Sequence, residues 1–161
     1  MAEKATAVTP DEWDAWKSFL SMRRHLDTAL ERQLQRDADI SGAEYAVLTS
    51  LFDAPDRMLR AGELGATLAW EKSRVSHQVS RMEKRGLVER RTCDTDARGT
   101  WIGITPDGSR AVLKATREHG RTLRDLFFDV VTPAELNTLQ AVFDRVQGVA
   151  EPVACEGQPS D

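Results

Sequence analysis

The polar side chains between Glu71 and Arg85 are the part of this sequence best suited to recognition chemistry. Val75, Val79 and Met82 recur at intervals of four and three residues, which predicts a helix that buries one side. The opposite side then carries short hydrogen-bonding and cationic groups, which suit base edges in the major groove of duplex DNA. The predicted DNA contacts on this helix are Ser73, Arg74, Ser76, His77, Gln78 and Arg81.

A solvated helix surface is the alternative interpretation, and the residues that follow favour DNA. Gly86 predicts a helix C-cap, and residues 87–92 and 100–104 have the composition of two strands around residues 93–99. The expected product is a β-hairpin wing directly after the polar helix. A short helix at residues 61–68, with Gly65 where a second helix must approach closely, would complete a winged helix-turn-helix.

Positive charge is concentrated in this block. Residues 57–98 contain ten Lys or Arg and six Asp or Glu, whereas the rest of the chain has 12 basic and 20 acidic residues. Several cations could contact phosphate or could be ordinary surface charge, and phosphate contact would appear as salt-dependent binding. These candidates are Lys72, Lys84, Arg85, Arg90 and Arg91.

Three capping boxes predict where the long helices begin. Each places a hydroxyl three residues before a glutamate, in the pairs Thr9 and Glu12, Ser41 and Glu44, and Thr132 and Glu135. From the first box an amphipathic helix is expected over residues 10–36, and from the second a helix over about residues 43–52. Thr105 and the third box are expected to start two further helices.

The long terminal helices exceed what a compact DNA-binding domain requires. Their apolar stripes need a partner surface, and pairing of two subunits is the expected one. We therefore predict a homodimer.

The stretches KSRVSHQVSRMEKRGLVERR and DARGTWIGITPDG together resemble the MarR family of bacterial transcriptional regulators. This resemblance implies that Asp96 orients Arg98, which would enter the minor groove from the wing. It also implies an intertwined dimer built from the long first helix and the two C-terminal helices. It further implies a small-molecule effector, phenolic or otherwise aromatic, that alters DNA binding.

These observations predict a mainly α protein with a small β wing. The expected organisation is one domain over residues 1–161. It comprises a winged helix-turn-helix at 41–104, dimerisation helices at 10–36 and 105–149, and a frayed tail at 150–161. The predicted function is a sequence-specific, ligand-responsive repressor that binds double-stranded DNA at a pseudo-palindromic operator. A winged-helix protein-interaction module without DNA binding is the alternative.

Trp16, His25 and Tyr45 are the candidate residues for the effector pocket. For the aromatic residue Trp16 on its helix, packing in the core or at the dimer contact is the favoured interpretation. His25 and His119 lie on helices that flank the ligand site of the resembled family, and partly exposed helix histidines are the favoured interpretation of both.

Other chemistry has little support in the sequence. Cys93 and Cys155 are far apart without a CxxC spacing, and the first helix lacks the cysteine of peroxide-sensing relatives. The three histidines show no metal-ligand spacing, and no phosphate loop or nucleophile elbow is present. We expect no cofactor and no metal. Without a long apolar run or a signal-peptide core, a cytoplasmic protein is expected.

Overall fold

The computed structural model describes residues 7–93 and 96–150, and for residues 92, 93, 96–99 and 150 it describes the backbone alone. The helices are α1 (Pro10–Ala38), α2 (Gly42–Asp53), α3 (Ala61–Leu68), α4 (Lys72–Lys84), α5 (Pro106–Leu123) and α6 (Pro133–Ala150). The strands are β1 (Met58–Arg60), β2 (Val88–Cys93) and β3 (Asp96–Ile104). Short 3₁₀ and π-helical turns occupy Pro55–Arg57 and Arg124–Phe128. The predicted fold class, mainly helical with a small wing, is confirmed.

The predicted capping boxes start the helices where expected. The N–H of Thr9 donates to Glu12 Oε2 at 2.7 Å, and the N–H of Glu12 donates back to Thr9 Oγ1 at 3.3 Å. The same reciprocal bonds form at Ser41 with Glu44, and at Thr132 with Glu135. These bonds satisfy N–H groups that have no partner inside the helix.

The sheet contains one strand more than the sequence predicts. Its order is β1-β3-β2, and both pairs are antiparallel. In this register Leu59 of β1 lies opposite Ile102 of β3, which in turn lies opposite Arg90 of β2. Strand β1 is only three residues long and therefore shows no alternating pattern.

One core joins the helices to the sheet. Its buried side chains come from α1, α2, α3, α4, α5 and the strands, and they include Leu34, Leu48, Leu64, Met82 and Ile102. Helix α5 packs against both α1 and α2, and α3 packs against α4. Helix α4 and the sheet are thus fixed to the same core.

The chain divides into two compact units, with the boundary between Leu123 and Arg124. The second unit contains the π-helical turn and α6. A single domain over residues 1–161 stays a prediction, and the predicted frayed tail falls almost entirely outside the described residues. In residues 7–93 and 96–150, every helix is too short or too polar to cross a membrane.

Candidate nucleic-acid interface

Helix α4 exposes one polar side and packs the other into the core. Val75, Val79 and Met82 are buried, as predicted. Glu71 is the N-cap residue, but its side chain accepts no cap hydrogen bond. Glu83 is exposed and pairs with Arg90. The other exposed residues, which we call the α4 polar face, are Lys72, Ser73, Arg74, Ser76, His77, Arg81 and Lys84. Their charges are positive, which suits an anionic partner.

Gly65 allows α3 to approach the turn that leads to α4. A Cβ atom at Gly65 would lie 3.1 Å from the carbonyl oxygen of Trp70 and 3.6 Å from Val75 Cγ2. The N–H of Trp70 donates to the carbonyl of Gly65 at 2.9 Å. Ala69 ends α3 in the left-handed region, with a φ of 51°. The predicted close approach at Gly65 is confirmed.

Arg74 is oriented by the aromatic residue that precedes the helix. Its Cζ lies 4.1 Å from the centroid of the Trp70 ring, within cation–π range. Among the side chains that the structure describes, no carboxylate forms an ion pair with Arg74. Its charge is therefore held near the N-terminal end of α4 and stays available to an external anion.

Gln78 is not part of this face, contrary to the sequence prediction. Its exposed fraction is only 7%, and its Nε2 has no hydrogen-bond partner among the described residues. Gln78 lies three residues after Val75 and four before Met82. This spacing places it on the buried side of α4.

A Schellman motif ends α4 and confirms the C-cap role of Gly86. Gly86 has a φ of 70°. The N–H of Gly86 donates to the carbonyl oxygen of Glu83 at 3.0 Å, and the N–H of Leu87 donates to the carbonyl oxygen of Met82 at 3.0 Å. The side chains of Leu87 and Met82 are both buried. The direction in which the chain leaves α4 toward the wing is thereby fixed.

Arg85, a predicted phosphate contact, joins the end of α4 to the α1–α2 junction instead. Its Nη1 lies 2.9 Å from both carboxylate oxygens of Glu44, which is 2% exposed. Its Nη2 donates to the carbonyl of Asp39 and lies 3.0 Å from Asp39 Oδ2. These partners are 41 and 46 residues away in sequence, so spacing gave no signal for them.

Arg90 and Arg91 also bind carboxylates within the chain. Arg90 of β2 donates to Glu83 Oε2 at 2.7 Å and to Ser80 Oγ at 3.0 Å, which ties the wing to α4. Arg91 donates through Nε to Glu89 Oε1 at 2.8 Å. Of the five predicted phosphate contacts, Lys72 and Lys84 on the α4 polar face have no such ion pair among the described residues.

The wing is an antiparallel pair of strands, β2 and β3, with one irregularity in its register. Thr92 lies opposite Thr100, and a register shift follows, after which Cys93 lies opposite Asp96. Arg98 is the third residue of β3. The side chains of Asp96 and Arg98 lie outside the described residues, so their predicted contact with DNA stays a prediction.

The three candidate pocket residues lie on two helices, Trp16 and His25 on α1 and Tyr45 on α2. Trp16 is exposed and stacks on Phe19, with ring centroids 5.4 Å apart. His25, also exposed, is nine residues further along α1, which corresponds to about 13 Å. A shared effector pocket for the three residues stays a prediction. Tyr45 is half-buried on α2 and contacts other residues.

Tyr45 packs against a half-buried histidine that links α5 to α1. The ring centroids of Tyr45 and His119 are 4.9 Å apart, and His119 Nδ1 lies 3.1 Å from Gln33 Oε1. Gln33 uses its Nε2 to donate to Asp37 Oδ2, so its Oε1 accepts and His119 Nδ1 carries a proton. Burial lowers the pKa of His119. The neutral imidazole is therefore the form that fits this junction.

Acidification should destabilise the fold in part through His119. Its pKa in the folded chain lies below the unfolded value of about 6.5, so the unfolded chain binds a proton first. The stability that neutral His119 contributes is complete above the pKa of the unfolded chain. It is lost as the pH falls through the pKa of His119 in the folded chain. Urea unfolding between about pH 7.5 and 5.5 should show this decline.

His119→Gln keeps a donor toward Gln33 and should flatten the decline in that pH window. His25→Gln, which changes an exposed histidine outside this junction, is the matched control. Hydrogen bonding from Arg36 lowers the pKa of Asp37, which therefore titrates well below this window. An unaltered pH slope in His119→Gln would show that another group is responsible.

Comparison with known proteins identifies the fold. The sequence pattern of the MarR family matches residues 38–99. The structure is similar to that of Sco3205, a MarR family transcriptional regulator from Streptomyces coelicolor solved in complex with DNA, with a TM-score of 0.88. The two chains are 31% identical, and the match covers 96% of each. The chain belongs to the MarR family.

Other relatives agree with this assignment. AbsC, a second MarR family transcriptional regulator from Streptomyces coelicolor, is 29% identical with a TM-score of 0.84, over 90% of this chain and 97% of AbsC. The Escherichia coli HTH-type transcriptional regulator PrsX is 26% identical over 88 residues, or 55% of this chain. That match spans only 53% of PrsX, about half its length. The predicted MarR resemblance is confirmed, and with it a transcriptional regulator rather than an enzyme.

Proposed function

We propose that this MarR family member is a sequence-specific repressor that binds a pseudo-palindromic operator as a homodimer and releases it when a small molecule binds. The observation that carries this proposal is the α4 polar face. Its positive side chains are exposed, and Arg85 and Arg90 hold the helix to the core and the wing. The related Sco3205 was solved in complex with DNA.

The proposed contacts divide between the two grooves. Arg74, Ser76 and His77 are assigned to base edges in the major groove, where short polar and cationic groups distinguish base pairs. Arg98, near the tip of the wing, is assigned to the minor groove. Ser73 and Arg81 complete the major-groove set, and Asp96 is assigned to orient Arg98. Gln78 is left out because it is buried.

Exposed apolar side chains support a homodimer. On α1, Trp13, Trp16, Phe19 and Met22 recur every three residues and are between 39% and 50% exposed. In the second unit, large apolar side chains are also exposed, including Phe143, Val146 and Val149. Such surfaces are uncommon on a monomer and typical of an interface. A two-fold dimer would place two α4 helices in successive major grooves, about 10 bp apart.

The proposed regulation is a shift between dimer conformations. A ligand that binds better to a dimer with the wrong α4 spacing would lower operator affinity without competing for the DNA surface. The ligand-free form would be the DNA-binding form, and ligand binding would relieve the proposed repression.

Single substitutions at the proposed contacts should weaken operator binding. An operator is first selected from a random duplex pool, and binding is followed by fluorescence anisotropy at several salt concentrations. We expect Arg98→Ala and Arg74→Ala each to lower affinity by about 10- to 30-fold, because each removes a base or groove contact. Lys84→Ala should weaken binding to all duplexes alike and reduce the salt slope by about two, one for each subunit of the dimer.

Arg110→Ala is the matched control, since Arg110 is an exposed arginine of α5 that pairs with Asp107. It should bind the operator like the wild type, and all variants should sediment as dimers. Operator binding by Arg98→Ala at full affinity would refute the wing assignment. Absence of salt-dependent binding of the wild type to any duplex would favour a protein-interaction module.

A further inference from the structure

A hollow of about 520 Å³ lies beside the first strand of the sheet, away from Trp16, His25 and Tyr45. Its apolar lining comes from Pro55, Met58, Leu59 and Trp101. We call it the β1 hollow. This volume falls in the range of small-molecule sites, which are mostly apolar with a few polar groups that set orientation.

The rim of the β1 hollow includes an unusual turn. Asp56 and the following residue, Arg57, have φ values of 53° and 56°, in the left-handed region. The guanidinium of Arg57 lies 4.1 Å from the centroid of the Phe52 ring, which helps to hold this conformation. Two consecutive non-glycine residues in this region are costly, and such conformations concentrate at ligand sites.

Three charged side chains line the β1 hollow, the carboxylates of Asp56 and Glu63 and the guanidinium of Arg91. Glu63 Oε2 accepts the backbone N–H of Arg60, and the Arg60 guanidinium lies 5.2 Å from the centroid of the Trp101 ring. Arg91 is already neutralised by Glu89, and its Nη1 lies 3.7 Å from Met58 Sδ. Among the described residues, the Asp56 carboxylate has no ion pair or hydrogen bond. The hollow thus offers an unpaired anion beside apolar and aromatic surface.

We propose that the β1 hollow binds a flat aromatic cation. The Met58 thioether and the face of the Trp101 indole opposite the Arg60 guanidinium supply surface for an aromatic ring, and a positive charge over an indole gains a cation–π attraction. Asp56 supplies the opposite charge at the rim. An anionic ligand would gain no comparable partner, because Glu89 occupies the guanidinium of Arg91.

The β1 hollow differs from the effector site proposed above in its position and in the class of ligand that it binds. The resemblance to the family implies a phenolic or other aromatic effector, whereas the charges here select a cation. The hollow is bordered by β1 and β3, and β3 also carries Arg98. Its test uses the protein without DNA, so the result is independent of operator binding.

The test measures binding of thioflavin T, a flat benzothiazolium cation whose fluorescence rises when it is held planar. Its uncharged counterpart, which lacks the ring N-methyl group, is the matched ligand. We expect saturable binding of the cation, and a loss of affinity of about five- to tenfold in Asp56→Asn. Asparagine tolerates the left-handed region, so this variant removes charge without changing the turn. The uncharged ligand should bind wild type and Asp56→Asn equally.

Two further variants complete the experiment. Asp53→Asn removes a nearby exposed carboxylate that does not line the hollow, and it should change the affinity less than twofold. Trp101→Leu should weaken both ligands by about tenfold, since it removes the stacking surface. Equal affinity of thioflavin T for wild type and Asp56→Asn would overturn the proposal. An equal loss in Asp53→Asn, or no saturable binding by the wild type, would also overturn it.

Discussion

Replacing Gly108 with alanine should lower the free energy of unfolding by about 3 kcal/mol, the upper end of the usual cost of overpacking. A Cβ atom at Gly108 would lie 2.1 Å from the carbonyl oxygen of Leu87 and 2.9 Å from Ile104 Cγ1. The carbonyl belongs to the backbone and cannot rotate away. The first turn of α5 would have to separate from the chain that follows α4. Urea unfolding would measure the loss.

The same change should disturb the end of α4. The backbone N–H of Thr105 donates to the carbonyl oxygen of Leu87. The Thr105 hydroxyl donates to the carbonyl oxygen of Gly86 and accepts the N–H of Gly108. The start of α5 is thus bonded to the turn that caps α4. If the start of α5 shifts, the end of the proposed DNA-binding helix shifts with it. Operator affinity should therefore fall together with the stability.

Gly120→Ala on the same helix is the control. A Cβ atom at Gly120 would meet no atom within 4 Å. Alanine is the better helix former, so this variant should gain about 0.5–1 kcal/mol. If Gly108→Ala stayed within about 1 kcal/mol of the wild type, α5 could not approach Leu87 as closely as described.

Local signals predicted most of the fold. Helix α3 has the predicted bounds of residues 61–68, and the three capping boxes form at the predicted pairs. These elements depend on contacts within four residues, which a sequence pattern records directly. Strand β1 depends on pairing with β3 more than 40 residues later, and its three residues are too few to show a pattern.

The candidate site was predicted less completely, because long-range partners decide which polar groups are free. Arg85 and Arg74 look alike in sequence, yet one faces the buried Glu44 and the other stacks on Trp70. The misplacement of Gln78 did not depend on a long-range partner. Its spacing from Val75 already placed it on the buried side of α4, but the sequence interpretation assigned it to the DNA-binding face because its side chain is polar. The hydroxyls and cations of the α4 polar face were correctly placed on the surface.

Replacing Arg85 with alanine should also destabilise the protein, by about 3 kcal/mol. Glu44 is 2% exposed and would lose the guanidinium that meets both its carboxylate oxygens. Only Glu44 of this pair is buried, since the Arg85 side chain is 40% exposed. Removing the partner of a buried charge typically costs about 3–5 kcal/mol when both groups are buried, so this pair belongs at the lower end. The lower end also applies because Ser41 still donates its N–H and hydroxyl to Glu44. Urea unfolding of wild type and variant gives the difference.

A double-mutant cycle isolates the pair. Glu44→Gln removes the charge, and the double variant should recover about 2 kcal/mol relative to the sum of the single losses. Arg85→Lys should recover only part, because a lysine ammonium cannot span both Glu44 and Asp39 as the guanidinium does.

The surface pair of Arg121 and Glu118 on α5 is the matched control. Arg121 is 72% exposed there, and Arg121→Ala should cost no more than about 0.5 kcal/mol. If Arg85→Ala cost as little, Glu44 would have to reach solvent or another donor once Arg85 is removed. In that case Arg85 would be free to contact phosphate, and its variant should show a reduced salt slope in operator binding. If Arg85→Ala instead loses much stability and the salt dependence of operator binding does not change, Arg85 is the residue that holds α4 against the α1–α2 junction.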